Sequence, residues 1–236
     1  MPAEDLADIS PLSSMADKRR KLNKLLGPVT LTYGAVRHYE DTLWGLEPAL
    51  PLEVAPPTLE QVLAAIAKRA HRGKETDSCL EVAKLFKAFM DAEGFKAVEA
   101  DLGPLQLGVG LWANFCSGVV LSKPGEPPIV AAVNYRRSGY TPAALRFAFS
   151  AMHEQSRALH RDLRDARLGL LHFPQPPKRK PRWAAMSFAD ATELFTYEQL
   201  SRMAAETYAL WEEVQREAVE AVRRTGTDDD WWDGDR

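Results

Sequence analysis

The sequence lacks the features that mark exported, membrane-spanning and disulfide-rich proteins. Its 236 residues include two cysteines, Cys79 and Cys116, which are too few and too far apart for a disulfide framework or a zinc knuckle. No window approaches the ~18 apolar residues of a membrane helix, and Met1 to Leu12 carries acids where a secretory signal needs basic and apolar residues. These absences predict a cytoplasmic protein that is neither exported nor membrane-embedded.

The sequence also has little excess charge. A formal net charge of −3 gives no overall attraction to nucleic acid or to a membrane surface, so any such attraction has to come from local patches. Hydrophobic residues make up 45% of the chain and charged residues 27%, close to the globular average. Most of the chain is therefore expected to fold around a buried core.

The expected organisation is one core with two tails. The chain is longer than the usual domain of about 100–150 residues, but it is within reach of one core plus flanking segments. Residues 1–57 contain a basic stretch and a proline-rich stretch, and they predict a partly disordered N-terminal arm. Residues 58–224 predict a single α/β core domain that ends in a long helix. Residues 225–236 predict an acidic tail around Trp231 and Trp232.

Capping residues and apolar periodicity predict four helices. A Ser or Thr followed three residues later by Glu or Gln satisfies free N–H groups at a helix start, and this pattern begins at Thr58, Ser78 and Thr196. Thr141 followed by Pro142 is a further start signal. The predicted helices cover 59–72, 78–93, 141–160 and an amphipathic stretch from the Thr196 pattern to Arg224.

Strands are predicted between these helices. Pro124-Gly125 fits the centre of a type II turn, because proline presets the first angle and glycine accepts the positive one, so the flanking strands should form a hairpin. The apolar run Ile129–Val133 indicates a strand covered on both faces. The predicted strands are 95–100, 109–115, 118–121, 129–135 and 166–173. The predicted fold class is α/β (α+β), a central mixed sheet with a helix–strand–hairpin–helix–strand core, flanking helices and a long C-terminal helix.

This order of elements over residues 78–173 resembles the core of the PD-(D/E)XK nuclease-like superfamily. In that family a carboxylate starts the first hairpin strand and an acid-x-lysine triplet ends the second, so that oxygen ligands hold magnesium and the lysine helps activate water. Here Ser117 or Gly118 stands at the first place, and Asn134 and Arg136 stand in the triplet. Neutral side chains lack the charge that favours magnesium, and arginine stays protonated. The resemblance therefore implies a domain with no nuclease activity, no bound metal and no cofactor.

Glu81 is the candidate catalytic acid in this scheme. It lies where some members of the superfamily place a further acidic ligand, and an active nuclease with a rearranged site would combine it with Asp101 and Glu126. The alternative is that Glu81 completes the helix-capping pattern that begins at Ser78.

A scaffold that has lost its metal ligands would still offer a surface for nucleic acid. Basic side chains would contact phosphates, and tyrosines would stack on bases. The candidates around the hairpin and the next loop are Lys123, Tyr135, Arg136, Arg137 and Tyr140. A proline-rich basic connector adds Lys178, Arg179, Lys180 and Arg182, and the stretch from Lys18 to Lys24 is also basic. Solvated linkers have the same composition.

A protein partner is the other kind of ligand that the sequence suggests. Adjacent Trp231 and Trp232 in an acidic tail are suited to docking in a partner's groove. Three glutamine-led stretches, 61–66, 106–111 and 199–203, loosely resemble the short peptides that bind the bacterial sliding clamp. In the second stretch Gln106, Leu107 and Leu111 would contact the partner. The other two stretches also serve as helix caps and core.

Three functions follow from these patterns. The favoured one is a non-catalytic PD-(D/E)XK-like binding or regulatory protein of a bacterial genome-maintenance, defence or mobile-element system. The second is a protein-interaction effector, such as the toxin of a toxin–antitoxin pair that inhibits replication by binding the sliding clamp. The third is a metal-dependent nuclease with a rearranged site. The expected partners are nucleic acid or a protein bound through the tail or a short motif, and the oligomeric state is left open.

Overall fold

The computed structural model describes residues 1, 3–26, 60, 64, 73–100, 102–108, 110, 112–116, 119–134, 139–175, 181–190 and 192–224. In these residues the α-helices are α1 (Ala3–Ile9), α2 (Met15–Leu25), α3 (Gly73–Glu93), α4 (Pro142–Met152) and α5 (Tyr197–Arg224). The strands are β1 (Lys96–Glu99), β2 (Leu105–Gln106), β3 (Trp112–Ala113), β4 (Val119–Ser122), β5 (Ile129–Asn134), β6 (Arg167–His172) and β7 (Ala185–Phe188). A π-helix (His153–Ala158) and a 3-10 helix (Arg161–Leu163) follow α4.

The larger sheet confirms the predicted fold class. Its strand order is β1-β4-β5-β6-β7, and it is mixed because β5 and β6 run parallel while the other neighbours are antiparallel. The predicted hairpin is present as β4 and β5. Its turn has type II features, since Gly125 has a φ of 80° and the Glu126 N–H donates to the Lys123 carbonyl at 3.1 Å.

Strand β5 lies in the middle of this sheet, as its continuous apolar sequence predicted. Alternate side chains of a strand point to opposite faces. Val130 and Ala132 belong to the core cluster that contains Phe147 of α4, whereas Ile129 and Ala131 cluster with Met90 of α3. Helices therefore cover both faces of the sheet at this strand.

Two helix starts are confirmed by their hydrogen bonds. The Thr141 side-chain oxygen accepts from the Ala144 N–H at 3.2 Å, with Pro142 in the first turn. Thr196 and Gln199 bond reciprocally, each side chain accepting from the other's backbone N–H, at 3.3 and 2.9 Å. These pairs satisfy N–H groups that have no partner inside the helix.

The predicted start at Ser78 was wrong. Helix α3 begins at Gly73, so Ser78 and Glu81 lie within the helix and do not cap it. The sequence Lys74 to Asp77 contains no proline or glycine, and nothing in it stops the helix from extending toward its N-terminus. The predicted helix 59–72 lies almost entirely outside the described residues.

The N-terminal segment folds more than its sequence indicated. Leu6 of α1 is fully buried in the main core, and Ile9 and Leu22 pack against Leu210 and Val214 of α5. Residues 3–25 therefore form ordered helices that pack on the core, and the predicted weak local order was wrong for them. The domain boundaries at residues 57 and 224 stay predictions, because residues 27–59 and 225–236 lie outside the described residues.

In two regions the observed strands differ from those predicted from the sequence. The predicted strand 109–115 is replaced by a two-stranded sheet, β2 and β3, in which Leu105 pairs with Ala113 and Gln106 with Trp112. Strand β7, which the sequence did not predict, pairs with β6 and forms one edge of the larger sheet. None of the helices in the described part of the chain is long and apolar enough to cross a membrane.

Candidate interaction surface

Those residues singled out by the nuclease resemblance that the structure describes lie on separate elements. Glu81 lies on α3, and Asn134 is fully buried at the end of β5. Glu126 lies in the turn before β5 and pairs with Lys123 at 3.2 Å, so the length of β5 separates it from Asn134. Asp101, Ser117, Gly118 and Arg136 lie outside the described residues. Among the described residues no group of three or more His, Cys, Asp and Glu side chains could hold a metal ion.

The predicted nucleic-acid contacts are not presented as a cationic surface in the part of the chain that is described. Lys123 is ion-paired with Glu126. Tyr140 packs against the main core, and Arg182 is buried with its Nε donating to the Phe173 carbonyl at 2.9 Å. Tyr135, Arg136, Arg137, Lys178, Arg179 and Lys180 lie outside the described residues.

Two residues of the basic stretch on α2 pair with acids of α5. The Lys18 side chain is only 3% exposed and lies 3.5 Å from Glu206. Arg19 bonds Glu213 at 3.0 Å and also bonds Glu217, and these two hydrogen-bonded carboxylates raise the pKa of its guanidinium. Two of the charges that suggested phosphate binding, Lys18 and Arg19, therefore hold α2 against α5.

The predicted peptide 106–111 belongs to the hairpin formed by β2 and β3. Gln106 is exposed, but Leu107 is fully buried in the main core and Leu111 lies outside the described residues. Helix α5 fixes this segment from one side, because the Tyr197 hydroxyl donates to the Gln106 carbonyl at 2.8 Å and the Gly108 N–H donates to the Ser201 hydroxyl at 3.3 Å. Leu107 cannot reach a partner while the hairpin keeps this packing.

One buried glutamine on the π-helix holds the base of the same hairpin. The Gln155 side-chain oxygen accepts from the N–H groups of Phe115 and Cys116 at 2.8 and 3.0 Å. Its side-chain nitrogen donates to the Gly103 carbonyl and to the Asn114 side chain, both at 2.5 Å. A primary amide offers two donors and two acceptor sites, so Gln155 uses all four on the hairpin's two ends.

Trp112 is the residue of this surface that the sequence analysis missed. It lies opposite Gln106 on β3 and is 59% exposed. A signal for it exists in the sequence, because Trp112 and Asn114 alternate with Ala113 and Phe115, and the latter pair faces inward. The other predicted partner-binding residues, Trp231 and Trp232, lie outside the described residues.

The described residues thus build a mixed α/β protein with an anchored hairpin on its surface, where Trp112 and the neighbouring Tyr197 of α5 are exposed. Exposed aromatic side chains on a fixed surface are typical of a protein-interaction module. A family model described as the sliding clamp-binding bacterial toxin SocB matches residues 4–221. The chain is also 34% identical over 235 residues to the DNA replication inhibitor toxin SocB of Caulobacter vibrioides, covering 100% of this chain and 98% of that protein. The chain belongs to the SocB family. No solved structure matches it.

Membership of this family overturns the resemblance to the PD-(D/E)XK nuclease-like superfamily and the function drawn from it. The matched region extends over 4–221 and includes α1, α2 and α5, which the nuclease comparison left out. Proteins use a small number of layer arrangements to cover a sheet with helices, and unrelated families share them. The order of elements alone therefore does not identify a family. The prediction of a nucleic-acid surface on this scaffold depended on the same resemblance, so it is no longer supported.

Proposed function

We propose that this protein is a bacterial toxin that stops DNA replication by binding the sliding clamp. The observation that carries the proposal is similarity along the whole chain to a replication-inhibitor toxin, at 34% identity over 235 residues. This function is the second of the three that the sequence suggested. The family description names the clamp as the bound protein of the matching family.

In the proposed mechanism the protein inhibits replication by occupying the binding surface of the clamp, and it catalyses no reaction. A sliding clamp holds the replication machinery on DNA, so a protein that covers its binding surface excludes the polymerase that needs the same surface. Such inhibition requires an exposed, ordered contact surface and enough affinity to compete. The hairpin anchored by Gln155 supplies the ordered surface, and the similarity along the whole chain supports the choice of partner.

The proposed place of action is the cytoplasm, where a bacterial clamp works. Pairing with an antitoxin, which would restrain such a protein, stays a prediction. Trp231 and Trp232 of the tail remain proposed contacts alongside Gln106.

Controlled expression in a bacterial host tests the proposal. Induction should arrest growth, lower the incorporation of labelled thymidine within one generation, and bring the host clamp down with an affinity-tagged chain. Raising the level of the clamp in the same cells should relieve the arrest, because additional clamp titrates the inhibitor.

Two outcomes count against the proposal. Thymidine incorporation at the uninduced rate would show that replication is not the target. Arrest that extra clamp does not relieve, with no clamp recovered on the tagged chain, would show that the clamp is not the partner. A variant that lacks residues 225–236 measures how much the tail contributes.

A further inference from the structure

Gln106 is adjacent to two exposed aromatic residues, Trp112 of the β2–β3 hairpin and Tyr197 of α5. Gln106 and Trp112 are cross-strand partners, so their side chains lie on the same face of the two-stranded sheet. Tyr197, at the start of α5, is 39% exposed, and its hydroxyl lies 2.8 Å from the Gln106 carbonyl. Gln106, Trp112 and Tyr197 are called the hairpin patch below.

The other exposed large hydrophobic side chains of the described residues lie on different elements from one another. They are Met15 on α2, Leu159 after the π-helix, Trp183 before β7 and Val219 on α5. In the hairpin patch the Tyr197 hydroxyl bonds the carbonyl of Gln106, and Gln106 is the cross-strand partner of Trp112, so two exposed aromatic residues adjoin one glutamine. Tryptophan and tyrosine are the residues most often found at the energetic centre of protein interfaces.

The hairpin that carries Gln106 and Trp112 is fixed to the rest of the protein although these two side chains face solvent. Gln155 fixes both ends of the hairpin with four hydrogen bonds, and Leu107 anchors the tip side in the core. A rigid surface loses little conformational entropy when it binds, so more of the contact energy appears as affinity. The π-helix that carries Gln155 is itself a rare element that occurs often at functional sites.

Resting on the proposed function, we propose that the hairpin patch is the surface that contacts the sliding clamp. Trp112 is the anchor and enters an apolar depression of the clamp, while the Gln106 amide bonds to polar groups at its rim. This assignment replaces the prediction that residues 106–111 bind as a short peptide, in which Gln106, Leu107 and Leu111 were to contact the partner. Leu107 holds the hairpin in place and Trp112 makes the contact.

Isothermal titration of the purified full-length chain with the purified clamp of its own host tests the assignment. Trp112→Ala should weaken binding by about 30-fold or more, the loss typical of an interface anchor. Gln106→Ala, at an exposed position that the core does not need, should weaken it less. Trp183→Ala is the matched control, because Trp183 is 46% exposed but lies outside the patch, and it should bind as the unaltered chain does.

The outcomes separate this inference from the proposed function. If the unaltered chain binds the clamp and both Trp112→Ala and Gln106→Ala bind equally well, the hairpin patch is not the contact and the proposed function stands. If the unaltered chain does not bind, the proposed function fails and the inference fails with it. If light scattering shows that Trp112→Ala changes the chain's own oligomeric mass, the patch joins two copies of this protein and the inference is overturned.

Discussion

The hydroxyl oxygens of Ser10 and Thr207 lie 3.0 Å apart, although 197 residues separate the two in the chain. The Thr207 hydroxyl gives its proton to the Met203 carbonyl at 2.8 Å, so Ser10 is the donor between the two hydroxyls. Both side chains are buried. This contact joins the turn after α1 to α5 and closes the two ends of the described chain onto each other.

Replacing Thr207 by valine should lower the free energy of unfolding by about 1–3 kcal/mol, because the buried Ser10 hydroxyl loses its acceptor. Urea unfolding measures the loss. Adding Ser10→Ala to Thr207→Val should cost less than Ser10→Ala costs alone, since the hydroxyl that it removes no longer has a partner. Strictly additive losses would show that the two hydroxyls are not coupled.

Arg19→Gln should lower the thermal midpoint at low salt, because the ion pairs with Glu213 and Glu217 connect α2 to α5. The difference from the unaltered protein should shrink in 1 M salt, where screening acts over about 3 Å. Arg20→Gln is the control, since Arg20 is 72% exposed and pairs with Asp17 inside its own helix. A midpoint difference for Arg19→Gln that does not depend on salt would point to lost packing of the side chain.

The elements of the fold that could be predicted are those whose ends are marked by residues close to them in the sequence. The starts of α4 and α5 are marked by Thr141 and Thr196, which bond to backbone within three residues. Helix α1 has seven residues, too few to be stable alone, and it forms because Leu6 is buried in the core. Strand β7 forms because its backbone pairs with the free edge of β6. The sequence of its four residues alone does not show that such a partner is present.

Gln155→Leu should lower the free energy of unfolding by at least about 2 kcal/mol, because the N–H groups of Phe115 and Cys116 are left without acceptors. Hydrogen exchange at these two amides should accelerate before that of the larger sheet does. Ser156→Ala is the control, because the Ser156 hydroxyl bonds the Met152 carbonyl within the same helical segment and should cost less than about 1 kcal/mol. Equal losses for the two variants would contradict the role given to Gln155.

Gly169→Ala should destabilise the sheet by about 1–3 kcal/mol, since the added Cβ would lie 2.7 Å from Ile129 Cγ2 and 3.0 Å from Met186 Sδ. Ile129→Leu in the same chain should recover part of the loss, because leucine has no Cγ2 methyl group to meet the Cβ added at residue 169. Gly139→Ala is the control, since its added Cβ would meet nothing within 4 Å, and it should stay within about 0.5 kcal/mol. An unchanged midpoint for Gly169→Ala in thermal unfolding would show that β5 and β7 yield to the added methyl group.

The candidate surface could be predicted only in part. Gln106, Leu107 and Leu111 were predicted from the sequence as partner-binding residues of a short peptide. Tertiary packing reverses that assignment, since Leu107 is buried in the core and Trp112 is exposed. The support from Gln155 comes from a residue 39 to 52 positions away in the chain, and no spacing in the sequence reports such a contact.

His172 makes stability depend on pH. It lies at the end of β6 between Asn134 of β5 and Ala185 of β7, and burial lowers the pKa of its imidazole below the ordinary 6.5. Between the lowered pKa and 6.5 the unfolded chain binds more protons than the folded one, so the free energy of unfolding rises with pH across that window and its contribution is complete above 6.5. The difference in unfolding free energy between the unaltered protein and His172→Gln, measured by urea from pH 5 to 8, should therefore grow in favour of the unaltered protein up to about pH 6.5 and then stay level. A constant difference would mean that the folded protein accepts the proton at His172 as readily as the unfolded chain does, and one that falls as pH rises would mean that it accepts the proton more readily.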